Sequence, residues 1–149
     1  MGYYTSIEVS ASGLSAERLA MDTIANNIAN VNTTRTAEGG PFKRQLVVYA
    51  QKNEPASESA NALDDAGDPA RSRAGVEVVG VVNDQSPDRL VYDPSHPDAD
   101  ANGYVHMPNV DVVKEMVDMM AASRAYEANV TAIQEARSMG TATLGLLKA

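Results

Sequence analysis

Apolar residues recur at intervals of seven near the start of the chain, at Ile7, Leu14, Met21 and Ile28, with Ile24 and Val31 on the adjoining seam. Near the other end Tyr126, Val130, Ile133, Gly140, Leu144 and Leu147 recur at threes, fours and sevens, interrupted by Arg137. Such spacing lines side chains along one narrow face of a helix, the seam of a coiled coil. A helix cannot bury a narrow seam by itself, so each end requires a partner: the other end, another copy or a sister protein. The pattern points to an assembly subunit rather than a catalyst.

The same pattern divides the chain. Residues 5–32 read as one helix of about 40 Å at 1.5 Å per residue, with Asn26, Asn27, Asn30 and Asn32 crowding its last turns. Asparagine is a poor helix-interior residue, so these amides are expected to bond to neighbours or to a facing helix. Gly39-Gly40-Pro41 marks a turn. Strands are predicted at Phe42–Ala50, Gly75–Asn83 and Asp88–Tyr92, enough for one small antiparallel sheet. Residues 51–73 read as a long acidic loop and 93–109 as a turn-rich stretch. A second long helix begins near Asn109, capped by Asn109 or Asp111, with Val113, Val117 and Met120 as its first apolar turns, and runs to about Met139. The fold class is therefore α+β. Long terminal helices pair as a coiled-coil-like unit, with a small antiparallel β segment and long loops between. The segments are 1–36, 37–108 and 109–149.

Composition sharpens this reading. With no Trp and one Phe among 149 residues, a large core is excluded, and Ala, Val, Met, Leu and Ile suit helix seams. The formal charge of −8 is concentrated in the middle: eleven acidic and four basic side chains lie between residues 50 and 103, against nine and eight elsewhere. Nearly neutral ends can pack against like copies, while the acidic middle suits solvent. The absence of a basic stripe or aromatic platform argues against nucleic-acid binding. There is no cysteine, hence no thiolate chemistry. No stretch is apolar enough for a membrane span, and the start of the chain lacks the features of a cleaved secretory signal.

Candidate chemistry is sparse. Asp98-Ala-Asp100-Ala-Asn102-Gly103 matches the start of a calcium loop, but the twelfth position is Asn109 rather than a bidentate Glu, and Pro94 and Pro97 forbid a leading helix. A polar turn held by Asp and Asn on local backbone fits better. His96 and His106 are ten residues apart across prolines and read as loop histidines, and Asp64, Asp65 and Asp68 as solvated charge. Met116, Met119 and Met120 can serve as an adaptable binding patch or as ordinary helix packing. No catalytic residue, cofactor site or metal site is expected. A compact regulatory helix pair and a calcium-binding module are the other classes the residues leave open.

The run Ser10–Thr33, and above all Ile24-Ala-Asn-Asn-Ile-Ala-Asn-Val-Asn-Thr33, resembles the signature of bacterial flagellar basal-body rod and hook proteins. Pro97–Asp111, Glu115-Met-Val-Asp-Met-Met and Ser123-Arg-Ala-Tyr-Glu-Ala-Asn129 narrow the resemblance to the proximal-rod members of that family. Residues 51–73 carry no motif of it.

That resemblance implies a structural subunit, not an enzyme. It would be exported unfolded by the flagellar export apparatus without a cleaved signal, and would polymerise across the periplasm as a torque-transmitting shaft. Its implied partners are copies of itself, other proximal and distal rod proteins, and the membrane-ring and rod-base adaptor proteins, without direct membrane insertion. The expected assembly interface sets Leu14, Met21, Ile24, Ile28 and Val31 against Val113, Val117, Met120, Tyr126, Val130 and Ile133, with Asn26, Asn27 and Asn30 fixing register.

Overall fold

Helix α1, Tyr3–Ala29, and helix α2, Val112–Leu146, are the two long elements of a computed structural model that describes residues 3–53 and 73–146. Among the described residues four strands lie between them: β1 Gln45–Asn53, β2 Arg73–Asn83, β3 Arg89–Tyr92 and β4 Tyr104–Met107. The α+β class holds. Most of the acidic loop expected at 51–73, with Asp64, Asp65 and Asp68, lies outside the described residues, as does Leu147.

The strands differ from the expected single sheet. They form two separate two-stranded sheets, β1 with β2 and β3 with β4. The second is antiparallel, pairing Arg89 with Met107 and Tyr92 with Tyr104. β4 falls inside the stretch read as turns, because four residues between Gly103 and Pro108 are too short to show a period. β1 starts three residues later than expected, since the backbone before it is engaged elsewhere: Phe42 N–H donates to Thr33 O. α2 continues past Met139 to Leu146 despite Gly140 and Gly145.

The contacts divide the chain into two compact units, each drawing on both helices. One comprises, of the described residues, 3–18, 49–53, 73–79 and 124–146. There Gly13 of α1 lies against Asn129 of α2 so closely that a Cβ on it would meet the amide nitrogen at 2.8 Å. Ala16 and Ala136 are buried. Gly75 adopts φ +98°, a left-handed conformation that favours glycine, directly above Ser12. The Ser12 hydroxyl accepts from Val76 N–H at 3.1 Å and so ties β2 to α1.

The other unit comprises residues 19–48 and 80–123. Its buried side chains are Ala20, Thr23 and Asn27 on α1, Glu115 and Ala122 on α2, and Arg44, Val105, Pro108 and Val110 between them. Asp111 caps α2, its carboxylate accepting from Val113 N–H at 2.9 Å. The β3–β4 turn is closed by Asp100, whose Oδ1 accepts from the N–H groups of Asn102 and Tyr104, both at 2.8 Å. Gly103 supplies the positive φ of +83° that this turn requires.

Candidate functional site

The two helices bury faces other than those their large apolar residues mark. On α1 the buried positions are Ala16, Ala20, Thr23 and Asn27; on α2 they are Glu115, Ala122 and Ala136, with half-buried Asn129 completing steps of seven. Small side chains allow close backbone approach, and the polar ones are satisfied locally. Among the described residues no buried side-chain nitrogen or oxygen lacks a hydrogen-bond partner.

At the centre of the second unit is a polar cluster. Glu115 is fully buried and accepts from Arg44 Nε through one oxygen and from Asn27 Nδ2, at 2.9 Å, through the other. Arg44 also reaches Asp118 at 3.0 Å. Asn27 does more than pair: its Oδ1 accepts from Gln45 N–H and its Nδ2 donates to Gln45 O, both at 2.9 Å, so one amide copies a neighbouring strand for the first residue of β1. Asn109 does the same next door, accepting from Arg44 N–H at 2.8 Å and donating to the carbonyls of Asp84 and Ser86. An ion pair so buried is held by these surrounding bonds rather than by charge attraction alone.

The three asparagines expected to set register therefore have different tasks. Asn27 bonds to α2 and β1. Asn26 donates to the Gln45 side chain, and Asn30 folds back on Asn26, closing the end of α1. The sequence names Glu115 only as the start of a resemblance motif and does not pair it with Arg44, which stands 71 residues away. The available signal was Glu115 standing in the seven-residue step of Ala122 and Ala136.

The remaining expected interface residues are less buried than these positions. Leu14, Met21, Ile24, Ile28, Val31, Tyr126, Val130 and Ile133 are half-buried. Val113, Val117 and Met120 are 72, 54 and 55 % exposed, and Met116 beside them is 56 % exposed. At about 100° per residue these four share the side of α2 opposite Glu115 and Ala122. Past Met120 that side turns polar, through Arg124, Glu127, Thr131 and Gln134. The first turns of α2 thus carry a solvent-facing patch of four large apolar side chains, more than scattered surface hydrophobics.

The candidate calcium run is otherwise engaged. Asp98 accepts from the Thr34 hydroxyl at 2.8 Å and lies 3.9 Å from Arg35, while Asp100 holds its own turn. The hydrogen bond from the Tyr104 N–H, with help from Asn102, holds the Asp100 carboxyl below the ordinary aspartate range. Bonds from Ser95 do the same for Asp93, and bonds from Ser86 for Asp84. His96 Nδ1 accepts from Asp98 N–H, and His106 lies 3.6 Å from Asp88. Among the described residues no group of three or more His, Cys, Asp or Glu could hold a metal ion, and no helix is long and apolar enough to cross a membrane.

Comparison with known proteins places these features. Residues 7–35 match the family model of the flagella basal body rod protein, and residues 101–146 match that of the flagellar basal body rod FlgEFG protein C-terminal region. The flagellar basal-body rod protein FlgC of Borreliella burgdorferi is 45 % identical over 99 % of both chains. FlgC of Bacillus subtilis is 43 % identical, over 93 % of this chain and 94 % of its own. FlgC of Salmonella typhimurium is 39 % identical over 93 % of each.

Proposed function

Since the chain belongs to the FlgC family of flagellar basal-body rod proteins, structural subunits of the flagellum that assemble with other rod components, we propose that it polymerises through its terminal helices into the proximal part of the axial shaft. The observation that carries this reading is the apolar side of α2, with Val113 and Val117 more than half exposed opposite a side already filled by Glu115 and Ala122. A helix packed on one side and apolar on the other is built to be covered twice, once by its own chain and once by a neighbour.

On this reading the interface comprises Val113, Val117 and Met120 on the open side of α2, the half-buried Tyr126, Val130 and Ile133 along and beside its packed side, and the half-buried Leu14, Met21, Ile24, Ile28 and Val31 of α1. Asn26, Asn27 and Asn30 act indirectly, by fixing the end of α1 on β1 and α2. Residues 1–36 and 109–149 form the rod core, and 37–108 face outward. A polymer needs contacts between unlike surfaces, because a patch that meets its own copy about a two-fold axis closes and stops. The neighbours are copies of this chain, the other proximal and distal rod proteins, and the ring and rod-base adaptor proteins. The subunit crosses into the periplasm through the flagellar export apparatus without a cleaved signal and transmits torque there. It performs no catalysis.

Complementation tests the reading. Expressed in a bacterium deleted for its own FlgC, the chain restores rods and motility and is recovered intact in isolated basal bodies. Export without any recovery in basal bodies would overturn it.

A further inference from the structure

An open groove of about 510 Å³ lies in the first unit, with Val9, Gly13, Glu17, Tyr49, Val76 and Asn129 on its walls. Gly13 keeps its floor low, where a Cβ would press into the Asn129 amide. Glu17 is the charged group in this lining, and among the described residues no cation is paired with it. Burial pushes its carboxyl up from the ordinary value of 4.5 with no opposing contribution. Burial and the Glu17 charge together push up the neighbouring Tyr49 hydroxyl. A partly desolvated carboxylate without a counter-charge carries a cost that a cation entering the groove would relieve.

The rest of the lining fits such an arrival. The valines can cover an aliphatic stem, and the tyrosine ring can face a flat cation. The Asn129 side-chain oxygen can accept an N–H. Those three together match a guanidinium better than an ammonium, whose compact charge neither stacks nor presents a planar fork.

We propose that this groove receives an arginine side chain of a neighbouring rod subunit, with Glu17 as its carboxylate partner. The inference rests on the rod-subunit reading and adds a polar, orientation-fixing contact to an interface otherwise apolar. Charged contacts of this kind choose partner and register more than they add affinity.

The test compares Glu17→Gln and Glu17→Lys with the native chain in the deleted bacterium, measuring basal-body incorporation by quantitative mass spectrometry and thermal unfolding of each purified protein. Glu17→Gln is expected to unfold at the native temperature or slightly above, having lost an unpaired charge, while its incorporation falls at least roughly tenfold, as expected for a lost charge-assisted bond. Glu17→Lys falls further, and selection for restored motility returns an arginine changed to an acidic residue in a rod protein. Native incorporation of both variants would overturn the proposal, as would a loss of incorporation matched by a loss of thermal stability. Absence of the native chain itself from basal bodies would instead defeat the rod reading beneath it.

Discussion

Arg44 and Glu115 show how much one residue pair can decide in this chain. Glu115 is completely buried, so removing Arg44 leaves its carboxylate with Asn27 alone for compensation. Arg44→Met is expected to cost about 3–5 kcal/mol of stability. Arg44→Met combined with Glu115→Leu removes both charges and is expected to recover most of that, measured by urea unfolding of all four members of the cycle. A double variant as unstable as Arg44→Met alone would mean the cluster acts through its shape rather than its charge. This cluster was not legible in the sequence, since neither residue type nor spacing joins positions 71 apart. Half of its frame was: the asparagine-rich end of α1 announced side chains bonding to something, and Asn27 does so with β1 and α2.

At the scale of elements, the long periods were readable and the short or polar ones were not. Both helices follow from their apolar repeats, and β1, β2 and β3 from their β-branched runs. β4 is only Tyr104–Met107, and what defines it is the pairing with β3, closed by Asp100 and Gly103. The buried helix faces escaped as well, because the apolar pattern marks large residues while the close contacts use Ala16, Ala20, Ala122 and Ala136. The hairpin carries its own pH signature. Asp93 and Asp100 sit below the ordinary aspartate value of 3.8 because hydrogen bonds favour their charged forms. A depressed acid stabilises the folded hairpin fully above the unfolded value and loses that contribution as pH falls through the folded one. The β3–β4 turn is thus expected to hold at pH 5 and loosen only below about pH 4, seen as rising amide exchange at Asn102 and Tyr104. Loosening already between pH 6 and 5 would contradict the assignment of this contribution to the two aspartates.

For the whole molecule, the central point is that α2 is packed on one side and open on the other. The family matches cover residues 7–35 and 101–146, which take in most of α1, the strand β4 and all of α2. Between them lies the more acidic middle. On the proposed reading such a subunit gains its remaining apolar burial from neighbours, and each large side chain covered contributes on the order of 1.5–3 kcal/mol. The absence of cysteine makes coverage directly measurable, because any thiol introduced is the only one present. The decisive measurement is maleimide labelling of Val117→Cys, in the free subunit and in isolated basal bodies, with Ala37→Cys at the exposed turn as reference. In the free protein both thiols should react readily; in basal bodies Cys at 117 should be shielded while that at 37 still reacts. Equal labelling at 117 in both states would contradict the assignment of this side of α2 to rod assembly.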